Sequence, residues 1–166
     1  GDLTRSTAGI SSTSDKTRGV FAGDQNLSTN AMEYITMSTP GNAIDYGDLA
    51  TNGNNMLQGI VSDNTYGVFM AGVVGGSYSN VVQYMTIQSS SNALDFGDLA
   101  QTRAYGGQTS DAASKRGVAM GGYYNPGGLT FNSMEYITIN TPGNALDFGD
   151  LTGNNERNAG VSGAAA

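Results

Sequence analysis

The stretch Met32-Glu33-Tyr34-Ile35-Thr36-Met37-Ser38-Thr39-Pro40-Gly41-Asn42-Ala43-Ile44-Asp45-Tyr46-Gly47-Asp48-Leu49 has two variant copies further along this chain. It returns at 82–99 and again at 134–151. Its closing tripeptide also stands alone as Gly1-Asp2-Leu3, so Asp2, Asp48, Asp98 and Asp150 lie about fifty residues apart. Such a period marks a repeat architecture, in which each unit buries its apolar face against its neighbours.

Working outward from that stretch, each unit divides into four short segments of strand-like composition. The first is loose: 8–12, 58–62, 106–110, and a last copy at 159–163. The second is Arg18-Gly19-Val20-Phe21-Ala22-Gly23, matched by 66–72 and 116–122. The third, Glu33-Tyr34-Ile35-Thr36-Met37, sets polar Glu and Thr against apolar Ile and Met, which predicts a sheet with unlike faces. The fourth is Ala43-Ile44-Asp45-Tyr46-Gly47, and Thr39-Pro40-Gly41-Asn42 before it predicts a type II turn, repeated at 141–144. Frequent glycine argues against long helices. The reading is all-β: three four-stranded antiparallel repeats, at about 4–49, 50–99 and 100–151, with one extra strand in 152–166 near Ala159–Ser162. Four antiparallel strands per unit of this period are the blade of a kelch-like β-propeller. Three blades do not close a ring, so further repeats or another chain would complete it.

Composition narrows the function. Cys and His are both absent, leaving no disulfide framework and making a zinc, copper or haem site an unexpected outcome. No cofactor is expected. A net charge of −7 with only seven basic residues argues against nucleic acid and against a membrane surface. Neither a leader nor an apolar run long enough to span a bilayer is recognised, and the opening Gly1 suits a processed chain or part of a longer one.

The paired aspartates Asp45/Asp48, Asp95/Asp98 and Asp147/Asp150 suggest acid–base chemistry or calcium. A catalytic pair is not normally copied into every repeat, and two carboxylates fall short of a calcium shell. The preferred reading is structural: each aspartate accepts N–H bonds in a bend after the fourth segment. Tyr46, Phe96 and Phe148 recur in register and are expected between blades. Asn26-Leu27-Ser28 fits the glycosylation pattern by composition alone.

Length varies between the second and third segments, at 24–31, 73–81 and 123–133, and not between the third and fourth. Tyr78 lies in the second of these, and Tyr123, Tyr124, Asn125 and Phe131 in the third. Tyrosine rings beside amides are how neutral sugars are commonly held, so Tyr78, Tyr123, Tyr124 and Asn125 are the candidate glycan contacts. The alternative is that these rings only cover blade edges or meet another subunit.

The segments Arg18–Gly23, Met32–Thr36 and Gly41–Leu49 resemble the kelch-type repeats of bacteriophage tail-fibre and virion structural proteins, cyanophage-like ones especially. The resemblance spans nearly the whole chain. It implies a non-enzymatic appendage or virion component, extracellular, with host-surface glycan attachment as its role. Its expected partners are other copies of itself or virion proteins. A purely architectural decoration or filament protein and, less favoured, a secreted polysaccharide-active enzyme remain the alternatives.

Overall fold

A computed structural model of the chain describes residues 1–24, 29–51, 56–57 and 59–161. These form an all-β protein of three antiparallel meanders. The first sheet runs β1 (Ser11–Ser14), β2 (Arg18–Ala22), β3 (Ala31–Thr36) and β4 (Ile44–Asp48) in that order. In the second, β5 (Met56–Leu57) and β6 (Ile60–Ser62) both pair with β7 (Tyr66–Val74), followed by β8 (Ser77–Thr86) and β9 (Leu94–Asp98). In the third, β10 (Gly107–Asp111) leads to β11 (Arg116–Met120) and β12 (Tyr123–Tyr124). Both of the latter pair with β13 (Leu129–Thr138), which also carries β14 (Leu146–Asn155).

Registers repeat. Val20, Val68 and Val118 face Tyr34, Tyr84 and Tyr136 across the second and third strands. Each fourth strand then carries the same bulge: Met32 pairs Gly47 while Glu33 pairs Asp45, leaving Tyr46 as the extra residue, and Phe96 and Phe148 follow suit. A bulge breaks the two-residue alternation and re-aims a side chain. Here it sends the aromatic ring out towards the next unit. The glycine after it takes φ of +135°, +143° and +122° at Gly47, Gly97 and Gly149, values only glycine adopts without strain.

The core lies between sheets. One cluster joins Val20, Met32, Tyr46 and Leu49 of the first unit to Phe69, Met85, Ile87 and Ala93 of the second. The other joins Val68, Met70, Phe96 and Leu99 to Ala119, Ile137 and Ile139 of the third. Each unit thus has a trailing face, with the bulged aromatic, and a leading face carrying the third strand's Ile or Met. The first strands form a row, β1 touching β6 and β6 touching β10. After them, residues 158–161 lie along β10, where Thr109 Oγ1 donates to the Val161 carbonyl.

Several expectations change. Residues 73–81 and 123–133 form strand hairpins rather than loops. Gly75 and Gly76, at φ +57° and +83°, make the two-residue turn between β7 and β8. The tight turn after each third strand is closed by Thr39 N–H on Thr36 O, Ser89 on Thr86 and Thr141 on Thr138. Pro-Gly follows that turn, and Gly41 and Gly143 are not among the positive-φ glycines. Glu33, Gln83 and Glu135 share a face with Ile and Met and are buried, so the unlike faces do not divide polar from apolar. Residues 152–155 continue β14 instead of opening a further unit. No strand forms over 159–161, and Ser162 lies outside the described residues, as do Gln58 and 25–28 with the Asn26 triplet.

Candidate functional site

Between units, the shared residues act in pairs. The Asp48 N–H donates to Asn92 Oδ1 at 3.0 Å, and the Ala93 N–H returns a bond to the Asp48 carbonyl at 2.8 Å. Asp98 repeats this with Asn144 and Ala145 at 3.1 and 2.9 Å, and Asp2 with Asn42 and Ala43 at 3.0 and 2.9 Å. The repeated aspartates therefore work through their main chain, with the next unit's asparagine as the capping side chain. This corrects the expectation that their carboxylates cap the bend. Among the described residues only Asp147 shows a trace of that, accepting Gly149 N–H at 3.3 Å.

One step further, a buried polar residue within each third strand receives the N–H that follows Gly-Asp-Leu. Glu33 accepts Thr4 N–H at 2.8 Å, Gln83 accepts Ala50 at 2.7 Å and Glu135 accepts Ala100 at 2.6 Å. Glu33 is then paired with Arg5 and Glu135 with Arg103, both at 2.7 Å, whereas Gln83 donates to Thr51. A buried carboxylate demands a counter-charge. Glutamate accordingly stands where an arginine precedes it, and glutamine where Thr51 does. The arginines stand at different offsets, Arg5 two residues after Leu3 and Arg103 four after Leu99, so the register of the repeat did not reveal Arg103.

Arg103 is fully buried, and its Nη1 also donates to the carbonyls of Gly121 and Ser133, each at 3.1 Å. Burial pushes its pKa down, and Glu135 opposes the shift. This anchor holds residues 103–105 against the third sheet, with Ala104 and Tyr123 exchanging main-chain bonds of 3.0 and 2.8 Å. Tyr105 follows at φ +60°, a sparsely populated conformation for a non-glycine residue.

The result is a tyrosine cluster on the rim. Tyr78 meets Tyr124, Tyr123 and Tyr105 edge-on at centroid distances of 5.7, 6.1 and 6.3 Å. Tyr123 OH donates to Asn125 Oδ1 at 3.2 Å. The four candidates chosen from sequence, separated by over forty residues, are thus brought together. Tyr105 was missed, as was Arg157, whose guanidinium lies 5.9 Å from the Tyr105 centroid. Tyr105 gave no signal because it falls in no repeated segment. Phe131 stands on β13.

A cavity of about 260 Å³ opens beside the cluster, lined by Gly76, Ser77, Tyr78, Tyr124, Asn125 and Pro126. Ring edges and hydroxyls, an amide and a proline line it, without any charge. Burial raises the Tyr78 pKa, with the Tyr105 and Tyr123 rings and Glu156 adding to the effect, so its hydroxyl stays a neutral donor and acceptor at ordinary pH. Such a surface suits stacking and hydrogen bonding rather than ion binding or acid–base chemistry. Among the described residues, no group of three or more Asp or Glu is placed to hold a metal ion.

No protein-family model matches the chain, and no curated protein sequence matches it.

Proposed function

We propose that this chain is part of a non-enzymatic viral appendage or virion structural protein that attaches to a host-surface glycan. On this reading the three sheets are blades of a kelch-like β-propeller. Its partners are a neutral sugar at the rim and, for completion of the ring, other copies of the chain or virion proteins outside the cell. The convergence of Tyr78, Tyr124 and Asn125 on one uncharged cavity carries the attachment reading. The row of β1, β6 and β10, with sheets stacked face to face beside it, supports the propeller.

The architectural reading, a decoration or filament protein without a small ligand, draws on the packing of the tyrosines against one another. Glycan-array screening followed by titration separates the two. The attachment reading expects binding to a neutral glycan, weakened about tenfold by Tyr124→Ala or Asn125→Ala with an unchanged melting temperature. A wild-type chain that binds no glycan, or variants that bind as well as wild type, would leave only the architectural role.

A further inference from the structure

The two filled junctions define a plug and a socket, and among the described residues one further plug and one further socket stand empty. At the first junction the plug is Tyr46, 2% exposed, whose hydroxyl donates to the carbonyls of Thr86 and Ser89 at 2.5 and 2.9 Å. Its socket is the turn after the second unit's third strand, walled by Met85 and Ile87. Phe96, also 2% exposed, fills the matching place between the second and third units, against Ile137 and Ile139. The third plug, Phe148, is 46% exposed.

The backbone around Phe148 is set in the same way. A Cβ on Gly47 would lie 2.6 Å from the Ser91 carbonyl oxygen, and one on Gly97 2.6 Å from that of Gly143. Both glycines exist to let the next unit's turn approach. Gly149 keeps the positive φ of its counterparts, yet has nothing within 4 Å of the Cβ position. The first unit's leading face carries the open socket: a cavity of about 320 Å³ lined by Ile35, Thr36, Met37, Thr39 and Pro40, with Phe21 and the segment Gly1–Leu3 along its side and Met37 49% exposed. Thr36 and Thr39 correspond to the Thr86 and Ser89 that receive Tyr46.

We propose that the trailing face of the third unit docks on the leading face of the first unit of a second copy, Phe148 entering the Ile35–Met37–Pro40 socket head to tail. The interior junctions argue for this occupant, because the socket present on the same chain has the residues that bury Tyr46 and Phe96. One segment competes. Gly1-Asp2 already occupies Asn42 and Ala43 in cis, in the place where Gly149-Asp150 of the incoming copy would bind. Docking exchanges one Gly-Asp-Leu for the other, so the N-terminal residues restrain association. The interface is heterologous, joining one face of each kind, and closes into a ring or continues as a filament.

Analytical ultracentrifugation over a concentration series tests this independently of any glycan, so failure here and failure of attachment are separable. The expected wild-type result is a weight-average mass rising above 17.1 kDa with concentration. Phe148→Asp and Met37→Asp should each hold the chain at monomer mass with an unchanged circular dichroism spectrum. Mixing these two variants should restore one junction and double the mass, because each retains the face the other lacks. Gly1→Val places a side chain where it would overlap Gly41, frees the Asn42 site, and should move association to at least tenfold lower concentration. A mass fixed at the monomer value for both wild type and Gly1→Val overturns the proposal and assigns the face to a repeat outside this polypeptide. Association that survives Phe148→Asp, or variants that fail to complement on mixing, overturns it too.

Discussion

Asn42, Asn92 and Asn144 meet the preceding Gly-Asp main chain at 3.0, 3.0 and 3.1 Å, one geometry used three times. At the rim, Tyr78, Tyr105, Tyr123 and Tyr124 make one cluster from β8, β12 and the segment before β10. The junction residues repeat because every unit must bind the next in the same way. The rim residues differ because only one junction carries this cluster among the described residues. Repetition in this chain therefore marks contacts between units that hold the array, and divergence marks a surface free to specialise.

Arg103 belongs to both regions, and removing it should do the most damage. Arg103→Ala strands the buried Glu135 carboxylate, at a cost of about 3–5 kcal/mol in urea unfolding, and should loosen the tyrosine cluster with it. The double change Arg103→Met with Glu135→Gln, which removes both buried charges together, should recover much of that loss. If it does not, the two regions are not joined through this pair.

Glycine substitutions sharpen the contrast between filled and open faces. Gly97→Val meets the Gly143 carbonyl and takes a strained φ, and should cost about 3 kcal/mol or more. Gly149→Val carries the strain without the clash and should cost about 1–2 kcal/mol. Equal losses would mean that close approach of the next unit is not what selects glycine.

Smaller still is the asparagine clip. Asn144→Ala should cost about 1 kcal/mol by removing the acceptor for Asp98 N–H, while Asp98→Ala should stay within about 0.5 kcal/mol. The reverse order would return the capping role to the carboxylate.

The smallest effect should come from acid. Asp15, Asp63 and Asp111 close the hairpin between the first and second strands of each unit. At Asp15 and Asp63 burial alone would raise the pKa, but hydrogen bonds outweigh it, from Gln88, Thr17 and Arg18 in one case and from Tyr66, Lys115 and Thr65 in the other. At Asp111, bonds from Ser114 and Ala113 dominate. All three sit below the ordinary value of 3.8, so their contribution is complete above that pH and is lost as pH falls through the lowered values. Melting temperature should fall on acidification below about pH 4, and less steeply in Asp15→Asn and Asp63→Asn variants. An equal slope in those variants would place the acid sensitivity elsewhere.

The second, third and fourth strands of each repeat were legible because their segments recur in register three times over, whereas the first segment 8–12 meets β1 (Ser11–Ser14) only at its end. Arg18–Gly23, read as a segment, contains β2 (Arg18–Ala22), and 43–47 overlaps β4 (Ile44–Asp48). The rim hairpins were not, since Gly75-Gly76 and Asn125-Pro126-Gly127-Gly128 read equally well as loop or turn. Tyr78, Tyr123 and Tyr124 of the cluster, with the neighbouring Asn125, were found by their departure from the repeat, whereas Tyr105 lies where no repeat offers a comparison.

By itself, the sequence determined the number of units, their strand order, and which aromatic recurs at the end of each. Those features depend on local pattern, and a local pattern copied three times is hard to misread. The tertiary structure alone decided what each copy does. Tyr46, Phe96 and Phe148 follow the same bulge, yet two are buried and one is open, because burial depends on the neighbouring unit and not on the residue's own strand. The aspartates likewise turned out to serve through their backbone, since the group that satisfies it is an asparagine roughly forty to forty-six residues further along the chain.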